Sequence, residues 1–212
     1  MNKNVLPLLG ARDLRAPLAW QAGQPISAAQ FLVQATALAR DLPANGPAVN
    51  LCQDRYRFAL GLGAALLRGH TSLMPPNALP QTLQGLCELG PVPYAFVDDE
   101  TTDAAGLVRV PVRGLAAGDG GLEVPRLDPQ LSAVCLLTSG STGAPQPHVK
   151  RFGPLVRNIA AEAACLAEAI GQADLAGLTI VATVPPQHSY GFESSVLLAL
   201  LGGAAFDSGR PF

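Results

Sequence analysis

Hydrophobic residues in this chain recur at helical spacing in some stretches and form short continuous runs in others. The first helical stretch begins at Ser27 and Gln30, which are spaced as a capping box, and predicts a helix over residues 27–42 that ends before Pro43. Further helical stretches begin after capping or proline residues, and runs rich in Val, Leu and Ile between turn residues predict strands. The predicted helices cover residues 54–68, 80–90, 154–170 and 191–201, and the predicted strands cover 48–52, 70–74, 93–97, 107–112, 131–137, 179–184 and 204–206.

The repeated order of strand and helix predicts an α/β fold, with layers built on a largely parallel sheet flanked by helices. In such folds, ligands gather at the carboxyl ends of the strands. The 212 residues are 49% hydrophobic and 14% charged, which indicates a compact chain able to bury a core, as one large domain or two small ones. We interpret the acidic residues between 98 and 103 as a solvated turn and residues 114–129 as a surface connection.

The charge, the cysteine content and the N-terminal sequence argue against several classes of protein. A net charge of −2 gives no basic patch, so a nucleic acid polymer is not an expected partner. No C-x-x-C pair is present, which argues against zinc and against a disulfide framework and favours buried free thiols at Cys52, Cys87, Cys135 and Cys165. Pro7 interrupts the first apolar stretch, and no segment is long enough to span a membrane, so we expect a cytoplasmic protein.

The segment TSGSTGAP, residues 138–145, carries the main chemical signal and follows the apolar run Leu131–Leu137. Gly140 and Gly143 permit backbone conformations in which successive N–H groups converge on an anion. The hydroxyls that add side-chain donors belong to Thr138, Ser139, Ser141 and Thr142. By composition alone, an ordinary surface hairpin loop explains the segment equally well, so the order of the residues has to decide.

Three rival motifs fail on these residues. A Walker loop requires GxxxxGK[ST], but Ala144 follows Gly143 and only two residues separate the glycines. A nucleophile elbow requires Gly two residues before the serine, where this chain has Ser139 before Ser141. The sequence from Gly61 to Leu66 partly matches a dinucleotide fingerprint, but it lies within a helical pattern, so we assign its glycines to helix packing.

TSGSTGAP resembles the phosphate-loop signature of the adenylate-forming superfamily, which includes acyl-CoA and aryl-CoA synthetases, adenylation domains of peptide synthetases, and luciferases. A second likeness is HSYG at His188–Gly191, placed where the family has a loop that lines its acyl pocket. The resemblance implies that residues 1–212 are the beginning of the large N-terminal domain of an AMP-dependent ligase.

The resemblance also implies a reaction and its ligands. In this family a carboxylic acid attacks the α-phosphate of ATP, with Mg2+, and CoA or the phosphopantetheine of an acyl carrier protein then takes the acyl group from AMP. The residues that would bind the ATP phosphates are Thr138, Ser139, Gly140, Ser141, Thr142 and Gly143. The residues that would line the site for a small acyl or aromatic acid are His188, Tyr190 and Gly191. No residue of this chain is assigned as catalytic.

The chain departs from the family pattern in two respects. Gln146 occupies the position where the family usually has Lys, with His148 and Lys150 nearby. Four extended residues span about 13 Å, so Lys150 reaches the same phosphate only if Pro147 folds the loop back, and a structural or peripheral role is favoured. His148 could donate to phosphate when protonated, or be satisfied by backbone.

The family's later ATP-binding segment and its C-terminal domain are missing from the sequence. We therefore expect a fragment that is inactive alone. The alternative is a catalytically silent nucleotide-binding or interaction domain that retains the scaffold.

Overall fold

The computed structural model describes residues 5–113, 123–139 and 145–209, and all structural statements concern these residues. They form a six-stranded sheet with strand order β10-β9-β5-β4-β6-β7, a four-stranded sheet with order β11-β12-β2-β3, and a small pair, β1 with β8. The strands are β1 Leu6–Pro7, β2 Pro17–Gln21, β3 Gln24–Ser27, β4 Ala48–Asn50, β5 Ser72–Met74, β6 Tyr94–Val97, β7 Val108–Pro111, β8 Arg126–Leu127, β9 Ser132–Ser139, β10 Pro145–Arg151, β11 Thr179–Ile180 and β12 Ala205–Asp207.

The helices are α1 Ala28–Arg40, α2 Arg55–Leu67, α3 Pro80–Leu86, α4 Phe152–Ala169, and α5 over residues 189–202, which has π-helical turns from Phe192 to Leu197. α1, α2 and α3 begin where predicted, whereas α4 and α5 each begin two residues before the predicted positions 154 and 191. Ser27 and Gln30 form the predicted capping box, with the Ser27 hydroxyl accepting from the Gln30 N–H at 3.1 Å. Asp54 caps α2, and Gly69, with φ +72°, follows its end as predicted.

The six-stranded sheet is largely parallel, as predicted, because all its neighbouring strands except β9 and β10 run in the same direction. Both faces are buried. In β6, Tyr94 and Phe96 join the main core with α1 and α2, whereas Ala95 and Val97 join a smaller cluster with α3 on the opposite face. Burial on two faces explains why such strands are continuously apolar in sequence.

The second sheet places the end of the described chain beside its beginning. β12 lies between β11 and β2 and runs parallel to both. The hairpin of β2 and β3 was not predicted, and it contains Pro17 and Pro25, residues that are unusual in strands. α1 follows this hairpin directly and packs against α2.

Several boundaries and burial states differ from the predictions. α3 ends at Leu86, four residues before the predicted Gly90. Cys52 and Cys135 are buried as expected, but Cys87 is half-buried and Cys165 is exposed, and all four cysteines are free thiols. Among the residues described by the structure, no helix is long and apolar enough to cross a membrane.

The acidic turn is also less solvated than predicted. The Asp98 side chain is only 20% exposed and accepts a hydrogen bond of 2.7 Å from the backbone N–H of Gln53. Asp99 and Glu100 are exposed, as expected of a solvated turn. Of the predicted connection 114–129, residues 114–122 lie outside the described residues, and Arg126–Leu127 forms β8.

The glycines of α2 have the predicted packing role. A Cβ atom at Gly63 would lie 2.8 Å from the Phe31 ring, and one at Gly61 would lie 3.0 Å from the Phe96 ring. α2 can therefore approach α1 and the sheet closely only because these positions lack side chains.

Candidate functional site

The predicted phosphate loop joins two paired strands, β9 and β10. β9 and β10 are antiparallel, and the register pairs Ser139 with Pro145 and Thr138 with Gln146. Residues 140–144, including the predicted phosphate-binding Gly140, Ser141, Thr142 and Gly143, lie outside the described residues. β9 and β10 pair as the two arms of a hairpin, whereas both the ordinary surface loop and the phosphate-binding loop stay predictions.

The position of this hairpin in the sheet matches that of a ligand site. β9 runs parallel to β5, β4 and β6, so all four strands end at the same edge. Met74 of β5 pairs with Leu136 of β9, and neighbouring strands lie about 4.8 Å apart, so the loop begins one strand away from the end of β5. Carboxyl ends of parallel strands are the usual binding edge of an α/β fold.

A cavity of about 230 Å3 opens at the same edge, beside the ends of β4 and β5. It lies between two loops that follow these strands and the loop before α5. Its lining residues are Asn50, Leu51, Gln53, Phe58, Leu73, Met74, Pro75, Pro76, Asn77, Ala78, Pro185, Gln187 and His188. We call it the strand-end cavity.

Most amide groups of the strand-end cavity are already hydrogen-bonded within the protein. Asn50 donates to the Phe58 carbonyl at 2.9 Å and accepts from the Cys52 N–H at 3.3 Å. Gln187 donates through Nε2 to the Cys52 carbonyl. Among the described lining residues there is no Lys or Arg. The cavity therefore suits an uncharged or apolar group better than an anion.

His188 lies at the mouth of this cavity. It is exposed and occupies the N-cap position of α5, with extended backbone angles and no capping hydrogen bond from its side chain. Its imidazole is available to a ligand because no hydrogen bond to a described residue occupies it. The structure thus places His188 at the binding edge of the sheet.

The other residues of the HSYG segment have different surroundings. Tyr190 is 69% exposed and lines a separate groove of about 300 Å3 between α4 and residues 180–184. Gly191 is buried, and a Cβ atom there would lie 2.2 Å from the Pro185 carbonyl oxygen. Gly191 therefore lets the chain turn into α5. Contact between Tyr190 and an acid stays a prediction.

Lys150 and His148 lie on the β10 arm of the hairpin, opposite Val134 and Leu136. The Lys150 ammonium donates to the Glu193 carboxylate of α5 at 2.5 Å. His148 is exposed. The ion pair supports the structural role favoured for Lys150, because its ammonium binds a carboxylate of α5.

Sequence reasoning missed a buried cation beneath α5. Arg55 is 1% exposed, and its guanidinium donates to Ser195 Oγ at 2.8 Å and to the Val184 carbonyl at 3.0 Å. Ser195 Oγ also donates to the Gly191 carbonyl. Burial lowers the pKa of Arg55, and the charges of Asp207 and Asp54 oppose that shift. No sequence signal links these residues, because Arg55 and Ser195 are 140 positions apart.

Cys52, although near the strand-end cavity, is not a nucleophile candidate. Burial, reinforced by the charge of Asp98, raises the pKa of its thiol, so the thiolate is disfavoured. Among residues 5–113, 123–139 and 145–209, no group of three His, Cys, Asp or Glu side chains could hold a metal ion.

Three solved structures share the fold of this chain. o-Succinylbenzoate CoA synthetase from Bacillus subtilis, in complex with ATP and magnesium ion, has 16% identity and a TM-score of 0.70 over 93% of this chain and 55% of its own. A malonyl-CoA ligase with methylmalonyl-CoA and AMP bound has 22% identity and a TM-score of 0.74 over 97% of this chain and 43% of its own. The N-terminal subdomain of Klebsiella oxytoca NpsA, with 3-hydroxyanthranilyl-AMSN, has 19% identity and a TM-score of 0.67 over 93% of this chain and 50% of its own.

These likenesses show the fold, and the chain spans about half the length of the structures that it matches. No protein-family model matches the chain, and no curated protein sequence matches it significantly.

Proposed function

We propose that this chain, which has the fold of the N-terminal part of adenylate-forming enzymes, forms part of an ATP-dependent, AMP-forming carboxylate–thiol ligase. The observation that carries the proposal is that the segment TSGSTGAP joins β9 to β10 where β9 ends, at the carboxyl edge of a largely parallel sheet. The strand-end cavity lies at the same edge and supports the proposal, because a ligase must hold an acid close to the nucleotide phosphates.

The proposed reaction has two steps. An oxygen of the acid carboxylate attacks the α-phosphorus of ATP, and the bond to pyrophosphate breaks, which gives an acyl-adenylate. A thiol, from CoA or from the phosphopantetheine of a carrier protein, then attacks the acyl carbon, loses its proton and releases AMP.

The loop residues would act in the first step. Hydroxyls and backbone N–H groups at 138–143 would bind the phosphates that leave as pyrophosphate, where negative charge develops. Mg2+, bound to ATP as part of the substrate, would share that charge. No lysine of the described residues is free beside the loop for this purpose, because Lys150 is paired with Glu193.

The strand-end cavity would hold the uncharged part of the acid or of the thiol, with His188 at its mouth. Its volume of about 230 Å3 and its satisfied amides favour a small acyl or aryl group over one with a second free charge. Tyr190 faces a different groove in the described residues, so His188 is the stronger candidate for contact with the acid.

Acid-dependent exchange of labelled pyrophosphate into ATP tests the ligase proposal in the gene product that carries this chain. We expect exchange with a subset of small acyl and aromatic acids. We also expect His188→Ala to raise the KM for the acid more than the KM for ATP, and Thr102→Ala, three strands away from the hairpin, to change neither. Absence of exchange across a broad panel of acids would contradict the proposal.

A silent nucleotide-binding domain is the second candidate, and two positions favour it. Gln146 stands opposite Thr138 in the hairpin register, at the place of the family's usual Lys, and Lys150 is held by Glu193. Neither position supplies a free ammonium beside the loop. Binding of MgATP by the gene product without exchange under any acid would favour this candidate over the ligase.

A further inference from the structure

One ion pair joins the two elements that carry the predicted binding residues. Lys150 lies on β10, the arm that returns from the loop, and Glu193 lies in the π-helical part of α5, five residues after His188. Their charged atoms are 2.5 Å apart, and their side chains are 33% and 26% exposed, so both are partly buried. The pair bridges 43 positions in sequence.

β10 has fewer supports than the interior strands of its sheet, apart from its ladder with β9 and the Arg151–Gln130 hydrogen bond where it meets α4. It is the edge strand of the six-stranded sheet that the structure describes, and it pairs with β9 alone. Pro147 donates no backbone hydrogen bond, and the side chain of Val149 is 56% exposed. The register also shifts between Lys150 and Arg151, so the ladder is irregular where the arm ends.

α5, in contrast, is fixed from below. The buried Arg55 guanidinium binds Ser195 and the Val184 carbonyl, and Phe192 packs edge-on against Phe58 with ring centroids 6.4 Å apart. Gly191 fits against the Pro185 carbonyl with no room for a side chain. A contact from β10 to α5 therefore ties a weakly held arm to a firmly held helix.

We propose that Lys150 and Glu193 are positioning residues that hold the β10 arm against α5, so that Ser139 and Pro145, at the two ends of the loop, keep a fixed position relative to His188. The effect of this ion pair on phosphate binding rests on the proposed function. The contact between β10 and α5 itself is present in the chain without a ligand. Lys150 therefore acts on the loop through the strand and does not contact a phosphate.

Hydrogen exchange of the unliganded chain tests the link. We expect Lys150→Met and Glu193→Gln each to speed amide exchange about two- to fivefold in both 145–151 and 189–197, the range that a half-exposed ion pair supports. The charge-swapped variant, Lys150→Glu with Glu193→Lys, should restore slower exchange in both segments. Arg151→Met is the matched control, because this neighbouring cation is bound to Gln130 instead of α5.

The exchange result contradicts the proposal if the Lys150 and Glu193 variants affect β10 alone, or match Arg151→Met, or are not rescued by the swap. This outcome does not depend on any ligand. If the wild-type chain binds no pyrophosphate, the proposed function of the loop fails while the exchange experiment still decides the link.

Titration with magnesium pyrophosphate separates positioning from direct contact. If Lys150 positions the arm, Lys150→Met and Glu193→Gln lower the affinity in parallel, by a few fold, and Lys150→Arg retains most of it. If Lys150 instead contacts phosphate, Lys150→Met lowers the affinity tenfold or more, whereas Glu193→Gln frees the ammonium and raises it. The second pattern would overturn the inference.

Discussion

The two strands that carry the predicted phosphate loop are held in different ways. β9 lies inside the sheet between β5 and β10, and its residues Val134 and Leu137 are 0% and 4% exposed. β10 lies at the edge, contains Pro145 and Pro147, and is held by β9, by the Lys150–Glu193 pair and, at its end, by the Arg151–Gln130 hydrogen bond and the start of α4. β9 is thus part of the core, whereas β10 packs beside β9 at the edge of the sheet.

Because of this difference, we expect β9 to affect mainly the stability of the fold and β10 to affect mainly the position of the predicted phosphate loop. Substitutions in β9 should cost stability throughout the domain, because they open cavities on a sheet buried on two faces. Substitutions in β10 should leave the fold intact and change where the loop is held. The same contrast applies to α5, which is bound from the core by Arg55 and from the arm by Lys150.

The largest expected effect compares one residue from each arm on the same sheet face. Leu137→Ala should lower the free energy of unfolding by about 2–5 kcal/mol, because the buried side chain leaves a cavity. Val149→Ala should lower it by less than about 0.5 kcal/mol, because this side chain is 56% exposed. Urea unfolding of both variants measures the difference, and equal losses would remove the contrast between the arms.

Loss of the buried Arg55 guanidinium, which binds α5, should give the next largest effect on stability. Arg55→Met removes the donor of the Val184 carbonyl and should lower the free energy of unfolding by about 1–3 kcal/mol. Thermal and chemical unfolding against the wild type measures the loss. A variant as stable as the wild type would mean that the cost of burying the guanidinium outweighs its hydrogen bonds.

The partly exposed Lys150–Glu193 ion pair should contribute little to global stability, and its contribution should depend on salt concentration. Lys150→Met should lower the free energy of unfolding by less than about 1 kcal/mol in dilute buffer, because the pair is partly solvated. In about 1 M NaCl the difference should become smaller, since the Debye length falls to about 3 Å, which is close to the separation of the two charges. A larger loss of stability that persists at high salt would mean that Lys150 stabilises the fold as a core residue does, and would contradict this prediction.

The smallest effect concerns a carboxylate on α4 that faces the same ion pair. Burial, together with the charge of Glu193, raises the pKa of Glu162 above its usual value. The folded state then binds more protons than the unfolded state, so this group lowers stability as pH rises through its pKa. Glu162→Gln should therefore be slightly more stable than the wild type at pH 7. The gain should vanish below about pH 4, near the unfolded pKa of Glu.

Thermal unfolding from pH 3 to pH 8 checks this sign. A gain for Glu162→Gln that grew as the pH fell would mean that folding lowers the pKa of Glu162 and would contradict the expected direction. Glu168→Gln, at an exposed position of the same helix, is a matched removal of one acidic charge.

Local signals were enough to predict much of the scaffold. Ser27 and Gln30 define the start of α1, Asp54 defines the start of α2, and the apolar run from Leu131 predicts β9, because capping and burial are properties of neighbouring residues. The glycines of α2 were likewise assigned correctly to packing.

The parts that sequence did not predict depend on tertiary position. No strand was predicted over Pro145–Arg151, and its two prolines are acceptable because β10 lies at the edge of the sheet. The contacts of Arg55 with Ser195 and of Lys150 with Glu193 join residues far apart in sequence, and a single sequence carries no signal for such pairs. The separation of His188 from Tyr190 between two cavities also depends on how α5 is seated.

Calorimetric titration of the chain with MgATP is the most direct test of the predicted phosphate-binding loop. We expect saturable binding by the wild type and at least a tenfold loss in the double variant Ser141→Ala, Thr142→Ala, because hydrogen bonds to charged groups contribute about 1.5–3 kcal/mol each. Thr102→Ala should bind as the wild type does. Equal binding by the wild type and the double variant, or no binding by either, would contradict a phosphate-binding role for residues 138–143.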